Sequence, residues 1–275
     1  MIGFTFRRLG GAVRVGVVTL ALAVLVVPSA PAGAIIGGQD DGGGHPYVGG
    51  IDARPTGAPI FTSSGVLISP TVFLTAGHAT RRFERAGLTQ ARVTFDPVAS
   101  DSSTWYTGTV HTNPAYNPAS VTDPGDLGVI VFDTPVPGIA PASLPTEGLL
   151  DQLGPQQLSR AGFTVVGYGV RSYLGGSNGG GTPGPDLSST GTREVAQQTF
   201  ASLTSAWLRL RMAGGAVVCI GDSGSPSLLG SSNVVAGITI TEGSLSGGQC
   251  QSQPWDMRVD TPSARAFLGQ YVTLP

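Results

Sequence analysis

The chain has 275 residues and contains no lysine, so that all 15 basic residues are arginines. Charged residues of either sign make up only 12% of the sequence, and the formal net charge is −2. Nucleic-acid binding needs clustered positive charge, so this composition argues against a nucleic-acid partner. The chain has only two cysteines and three histidines, and their spacing does not fit a zinc site. We therefore expect no metal and no cofactor.

The first 34 residues differ from the rest of the chain. They contain Arg7, Arg8 and Arg14 but no acidic residue, and an uncharged, mostly apolar stretch follows at Val15–Val27. A basic region, an apolar region and a small-residue region in this order are typical of a secretory signal peptide. The apolar stretch is short for a membrane span. We interpret residues 1–34 as a signal peptide and expect a secreted, extracellular protein with no membrane attachment after cleavage.

Two cleavage positions remain open at the end of this leader. The small-residue sequence AGA ends at Ala34 and stands directly before Ile35, so cleavage there starts the mature chain at Ile35. The alternative is cleavage after Ala30, which leaves four residues to be trimmed. The chain beyond residue 34 is long enough for two small β domains or one large one.

Short runs of β-branched and aromatic residues recur between turn residues, whereas helical patterns are scarce. Such runs include Val72–Thr75, Gly128–Phe132 and Trp207–Met212. The clearest helix signal is Pro262–Tyr271, because Thr261 stands at the N-cap and proline at the first helical position. The pattern predicts an all-β fold of barrels or a sandwich, with a C-terminal helix.

Three distant motifs carry residue types that act together in nucleophilic hydrolysis. They are His78 in TAGHA, Asp126 in GDLGVIVF and Ser223 in GDSGSP. A serine hydroxyl is a weak nucleophile at neutral pH and needs an adjacent base, for which histidine is suited. A carboxylate behind the imidazole fixes its tautomer and stabilises the imidazolium ion. The order of these motifs along the chain predicts a serine hydrolase.

Other residues of the same types are weaker candidates for these roles. His45 precedes a proline in the N-terminal segment and His111 lies in VHTNP, so both are interpreted as structural or surface residues. Asp123 and Asp133 are rival carboxylates, one near a turn and one after the apolar strand. Asp126 is preferred because a carboxylate at the border of a buried strand needs a donor, which an imidazole N–H supplies.

The motifs TAGHA, GDLGVIVF and GDSGSP resemble the histidine, aspartate and serine segments of the chymotrypsin/trypsin-like serine peptidases. The segments IIGG, HPYV, GYG and VDTP also have counterparts in that family, and the resemblance covers nearly everything after residue 34. It implies a secreted bacterial serine endopeptidase with two six-stranded antiparallel β-barrels and an active site between them. It places an N-terminal barrel at residues 35–145 and a C-terminal barrel with the helix at residues 146–275.

The resemblance also assigns roles to individual residues. His78, Asp126 and Ser223 would be catalytic, and the N–H groups of Gly221 and Ser223 would form the oxyanion hole. A new amino terminus at Ile35 would insert into the protein and pair with Asp222.

Cysteine usage fits the same family. In an exported protein, Cys219 and Cys250 are expected to form one disulfide, and the resemblance implies the same pairing. A second bridge common in the family, beside the catalytic histidine, is missing, because Ser63 and Ala79 stand where its cysteines would be.

The resemblance is least informative about the substrate pocket. Val217 stands at the position of the pocket base, with Val218 beside it, and the opposite wall would comprise Ile240, Thr241 and Glu242. Glu242 and Asp256 are the carboxylates close enough in sequence to charge the pocket. Because valine at the base does not favour arginine or lysine, we expect cleavage after an uncharged, small or medium apolar side chain.

Two alternatives to an endopeptidase stay open. One is a catalytically silent relative that acts as a binding module, because Ser225 replaces the last glycine of the GDSGGP pattern and the pocket wall is altered. The other is an esterase-like hydrolase that uses the same three residues on small acyl substrates. For an endopeptidase, the expected partners are a protein or peptide substrate and a proteinaceous inhibitor, and the protein is expected to be a monomer.

Overall fold

The structure is a computed structural model, and it describes residues 1–3, 35–52, 61–174, 184–241 and 250–275. In chain order the strands are β1 (Gln39–Asp40), β2 (Val48–Asp52), β3 (Phe61–Ser69), β4 (Val72–Thr75), β5 (Gln90–Thr94), β6 (Tyr106–Thr112), β7 (Gly128–Phe132), β8 (Phe163–Gly167), β9 (Tyr173–Leu174), β10 (Gly184–Pro185), β11 (Glu194–Leu203), β12 (Trp207–Met212), β13 (Pro226–Leu229), β14 (Val235–Ile240) and β15 (Trp255–Arg258). The helices are α1 (Gly77–Arg85), α2 (Leu149–Ala161) and α3 (Pro262–Leu268). The chain divides into two compact units, Met1–Ala30 and Pro31–Pro275, and the elements named above lie in the second.

The strands form two closed antiparallel barrels of six strands each. The first barrel has the order β2-β3-β4-β7-β6-β5 and closes between β5 and β2. The second has the order β11-β12-β15-β14-β13-β8 and closes between β8 and β11. The short strand β1 also pairs with the start of β11. The predicted all-β fold of two six-stranded barrels is therefore confirmed, together with its C-terminal helix.

Sequence patterns located some elements better than others. Strands β4, β7 and β12 have the predicted bounds. The C-terminal helix begins as predicted, with Thr261 Oγ1 accepting the Ala264 N–H at 3.2 Å, but it ends at Leu268, three residues before the predicted end. Helix α2 was not predicted, because Gly154, at φ 67°, and Pro155 interrupt its pattern and also kink the helix.

Three hydrophobic clusters account for most of the core, and the largest joins the two barrels. The first barrel encloses a cluster that includes Ile51, Leu67, Phe73, Val93 and Ile130. The second barrel and α2 share a cluster that includes Leu150, Phe163, Leu208 and Leu210. The joining cluster contains residues of both barrels and of α3, among them Val66, Leu74, Tyr168, Ile238 and Phe267. Within the described residues, no helix is long and apolar enough to cross a membrane.

A buried arginine ties the N-terminal segment to both barrels. Arg193 is only 1% exposed, and its Nε lies 2.7 Å from Asp41 Oδ2. Its terminal nitrogens donate to the carbonyl oxygens of Gly42 and Phe95, at 2.7 and 2.8 Å, and to the Tyr168 hydroxyl at 3.2 Å. Burial raises the pKa of Asp41, but hydrogen bonds from His45 and Arg193 outweigh it and hold that pKa below its usual value.

Arg193→Met should therefore destabilise the protein by about 3–5 kcal/mol, the usual cost of breaking one side of a buried ion pair. Denaturant unfolding followed by tryptophan fluorescence measures the effect. Arg81→Met is the matched control, because Arg81 forms an exposed pair with Glu84 at 3.2 Å and such pairs contribute about 0–1 kcal/mol. Equal losses in the two variants would contradict the role given to Arg193.

Candidate active site

The pairing of β4 with β7 brings His78 next to Asp126, although 48 residues separate them. Thr75 at the end of β4 pairs with Gly128 at the start of β7. The residues that follow β4 therefore lie beside those that precede β7. His78 is the second residue of α1, where backbone N–H groups have no partner within the helix. Its N–H donates to Asp126 Oδ1 at 2.7 Å.

The three predicted side chains form a continuous hydrogen-bonded chain. His78 Nδ1 lies 3.0 and 3.2 Å from the two Asp126 carboxylate oxygens, and His78 Nε2 lies 2.9 Å from Ser223 Oγ. Each of these residues is less than a tenth exposed. A carboxylate on the Nδ1 side favours the tautomer with the proton on Nδ1, which leaves Nε2 free to accept the Ser223 proton. This is the arrangement that activates a serine hydroxyl.

Besides His78, the Ser223 hydroxyl contacts the hydroxyl of Thr241, which the sequence did not predict. Thr241 Oγ1 lies 2.6 Å from Ser223 Oγ, and the Thr241 N–H donates to the same oxygen at 3.3 Å. Because Ser223 donates its proton to His78, Thr241 is the donor in this pair. Thr241 was predicted only as part of the pocket wall, and it contacts Ser223 directly.

The serine loop, residues 219–225, is held by hydrogen bonds along its backbone. The bonds, each 2.8–3.0 Å long, run from Val170 N to Ile220 O, from Ser64 Oγ to Gly221 O, from Asp222 N to Cys219 O, from Ser225 N to Asp222 O, from Ser64 N to Ser223 O and from Gly224 N to Thr239 O. The N–H groups of Gly221 and Ser223 donate to no acceptor among the described residues. Two unpaired N–H groups beside a serine hydroxyl can bind an anionic oxygen.

Close packing explains the glycine after Ser223. Gly224 has φ 89°, and a Cβ at this position would lie 2.0 Å from the Ser64 carbonyl oxygen. Ser225 departs from the family pattern, and Gly167 leaves room for it, since a Cβ on Gly167 would lie 2.3 Å from Ser225 Oγ. The Ser225 hydroxyl is buried without a hydrogen-bond partner among the described residues. The altered residue is therefore accommodated without displacing Ser223.

Asp222 is fully buried. Its carboxylate accepts the N–H groups of Cys219 and Gly169 at 2.8 and 3.0 Å. Burial raises the pKa of Asp222 well above its usual range, these two donors oppose the rise, and the charge of Glu194 adds to it. No ion pair involves Asp222 within the described part of the chain.

Ile35 lies in the interior. Its side chain is fully buried in a cluster with Val165, Val218 and other apolar residues, and Ile36 pairs with Val217 through the backbone. The ion pair with Asp222 requires a free amine at Ile35 and stays a prediction.

The residues predicted to line the substrate pocket lie in different environments. Val217 is half-buried, whereas Val218 is fully buried in the Ile35 cluster, and its backbone bonds to Gln251 in both directions. Ile240 is 4% exposed and packs into the core that joins the barrels. Glu242 lies outside the described residues.

The two cysteines form one disulfide, Cys219–Cys250, as predicted. Ser63, which occupies a cysteine position of the family, donates its hydroxyl to the Ser223 carbonyl oxygen at 2.5 Å. The rival histidines lie elsewhere. His45 forms a hydrogen bond with Asp41, and the ring centroid of His111 lies 5.3 Å from that of Tyr271. Nothing in the sequence links residues 63 and 64 to the serine loop, because their hydrogen bonds to Ser223 and Gly221 span about 160 positions.

Asp256 lies in the interior of the second barrel. Its Oδ1 accepts the Thr239 hydroxyl at 2.6 Å, and its Oδ2 has no hydrogen-bond partner in the described residues. Burial raises the pKa of the Asp256 carboxyl to about 7, although Thr239, Ser227 and Arg209 favour the ionised form.

Comparisons with known proteins agree with this geometry. Two antiparallel barrels with a serine, a histidine and an aspartate in hydrogen-bond contact define the class of chymotrypsin-like serine hydrolases. A family model described as Trypsin matches residues 35–263, so the chain belongs to the trypsin family. No curated protein matches the chain in sequence.

A solved structure described as HL collagenase is similar to the chain, with a TM-score of 0.58 and 18% sequence identity over 82% of this chain and 93% of that one. At this identity the likeness shows the fold alone. Among the described residues there is no cluster of side chains suited to hold a metal ion.

The raised pKa of Asp256 makes stability depend on pH. Because the folded pKa of about 7 exceeds the ordinary value of 3.8, the folded state retains a proton that the unfolded state loses, and stability falls as pH rises between these values. At about 1.4 kcal/mol for each pKa unit, the loss is about 4 kcal/mol.

Asp256→Asn should therefore stabilise the protein at pH 8 much more than at pH 4. Urea unfolding at both pH values measures the difference, with the exposed Asp101→Asn as control. An equal effect of Asp256→Asn at the two pH values would contradict the raised pKa.

Proposed function

We propose that the chain is a serine endopeptidase that forms an acyl-enzyme intermediate. Membership of the trypsin family indicates a peptidase. The observation that carries the proposal is the unbroken contact from Asp126 through His78 to Ser223, beside the N–H groups of Gly221 and Ser223, which have no acceptor among the described residues.

The first half of the reaction attaches the substrate to Ser223. Ser223 Oγ attacks the scissile carbonyl carbon while His78 Nε2 takes the hydroxyl proton. The N–H groups of Gly221 and Ser223 bind the oxyanion, a contribution worth about 10²–10³ in rate for each donor. His78 then gives the proton to the leaving amine, the C–N bond breaks, and the acyl group stays on Ser223.

The second half releases the acyl group. A water molecule gives a proton to His78 and attacks the acyl carbonyl, which forms a second oxyanion at the same two N–H groups. His78 returns the proton to Ser223 Oγ as the ester bond breaks. Throughout the cycle, Asp126 holds the imidazole in one tautomer and stabilises its charged form.

We further propose that the protein is secreted, functions as a monomer and becomes active when cleavage after Ala34 frees the amine of Ile35. Full burial of Ile35 supports this, because a new terminus at this position is already inside the protein. Asp222 is buried without an ion-pair partner in the described residues, so it would gain from an ammonium group. A peptide or protein substrate and a proteinaceous inhibitor are the proposed partners.

We also propose cleavage after uncharged apolar side chains, because the resemblance to the family places Val217 at the pocket base. A panel of chromogenic peptides that differ only in the residue before the cleaved bond tests this. We expect the fastest turnover with small or medium apolar residues. A strong preference for arginine would contradict the assignment of Val217.

Labelling with a fluorophosphonate tests the catalytic proposal. The secreted protein should gain one label on Ser223, and Ser223→Ala should gain none. Asp126→Asn should lower kcat for peptide hydrolysis by about 10⁴ because it favours the wrong imidazole tautomer. Asp133→Asn, at an exposed position after the same strand, is the control.

The intact mass of the labelled protein also reports its first residue. A start at Ile35 agrees with cleavage after Ala34, and a start at Pro31 contradicts it. An unlabelled protein would favour the silent binding module. Turnover of short esters without hydrolysis of casein would favour the esterase.

A further inference from the structure

Ser64 holds the serine loop from the opposite barrel. This residue lies in β3 of the first barrel and is fully buried. Its Oγ donates to the Gly221 carbonyl oxygen at 2.8 Å and accepts the Tyr168 N–H at 2.9 Å, so its hydroxyl is used as both donor and acceptor. Its own N–H donates to the Ser223 carbonyl oxygen at 2.8 Å.

Ser63 adds a second hydroxyl at the same place. Its Oγ donates to the Ser223 carbonyl oxygen, which therefore accepts bonds from both residues. Ser63 is fully buried, as Ser64 is. The carbonyl groups of Gly221 and Ser223 are thus held from the first barrel, and the N–H groups of the same two residues have no acceptor in the part of the chain that the structure describes.

Fixing these two carbonyl groups restrains the peptide units on either side of the Ser223 N–H. A peptide unit is planar, so a bond to the Gly221 carbonyl sets the plane before Asp222, and a bond to the Ser223 carbonyl sets the plane before Gly224. The plane that carries the Ser223 N–H lies between these two. Its own carbonyl group, that of Asp222, accepts the Ser225 N–H at 3.0 Å, so this plane is held directly while the bonds from the two serines hold the planes on either side.

We propose that Ser64, assisted by Ser63, is a positioning residue: it holds the peptide units that adjoin the N–H groups of Gly221 and Ser223 and so keeps these groups directed at the developing oxyanion. This inference rests on the proposed function. Neither hydroxyl touches the substrate. Each acts through the backbone of the serine loop, so its contribution belongs to the transition state rather than to substrate binding.

Ser64→Ala tests the role of the hydroxyl. We expect kcat for a peptide amide to fall on the order of 10-fold with KM nearly unchanged. Removing an oxyanion donor lowers the rate by about 10²–10³-fold, and a donor that is only misdirected should lose part of that factor. Affinity for a peptide aldehyde, whose hemiacetal oxygen occupies the same N–H groups, should fall by a similar factor. Ser64→Thr, which keeps the hydroxyl, should restore both.

Ser63→Ala covers the case in which Ser64→Ala does not fold. It leaves the Ser64 N–H on the Ser223 carbonyl, so we expect a folded protein with a smaller loss of kcat, about 3-fold. Ser227→Ala is the matched control. Ser227 is also fully buried, and its hydroxyl donates to Gln198 Oε1 at 3.0 Å, away from the two carbonyl groups. It should lose stability while kcat stays within about 2-fold.

The outcomes separate the two proposals. A wild-type protein that hydrolyses no peptide overturns the proposed function and this inference with it. An active wild type whose Ser64→Ala or Ser63→Ala variant keeps kcat and aldehyde affinity overturns the inference alone. A loss of kcat in Ser227→Ala equal to that in Ser64→Ala also overturns it, because the effect would then follow from any lost buried hydroxyl.

Discussion

Hydrogen bonds that cross from β3 to the serine loop hold the two halves of the site in one geometry. Ser223 belongs to the second barrel, whereas His78 and Asp126 follow and precede strands of the first. The Ser64 N–H and the Ser63 hydroxyl both bond to the Ser223 carbonyl oxygen, so the backbone of this residue is fixed relative to the first barrel. The 2.9 Å contact between Ser223 Oγ and His78 Nε2 depends on that constraint.

The same contacts decide which residues the serine loop tolerates. Because the Ser64 backbone approaches the loop so closely, residue 224 has no room for a side chain. Most carbonyl groups of the loop accept hydrogen bonds, whereas the N–H groups of Gly221 and Ser223 donate to no acceptor among the described residues. A rigid loop with two directed N–H groups is preorganised for a negative charge, so no reorganisation is needed during the reaction.

Buried carboxylates in this protein fall into two kinds. Asp41 has a charged partner in Arg193, and its pKa is lowered in spite of burial. Asp222 and Asp256 accept only N–H or O–H donors at hydrogen-bond distance, and burial raises their pKa values. Asp41 therefore adds stability as an ion, whereas Asp222 and Asp256 reduce it when ionised. Of these, Asp222 is the one that the proposed activation would supply with a cation.

The sequence predicts the fold class, the bounds of strands such as β4 and β7, the start of the C-terminal helix and the three motifs that meet at the site. These features depend on local patterns, namely short runs of β-branched and aromatic residues, capping residues and short motifs around His78, Asp126 and Ser223. Tertiary structure alone decided that Ser63, Ser64 and Thr241 contact the serine loop, that Ile240 is a core residue, and that Asp256 has a raised pKa. Each of these depends on which strands close a barrel and which barrel faces lie together, and contacts between different strands leave no periodic signal in the chain.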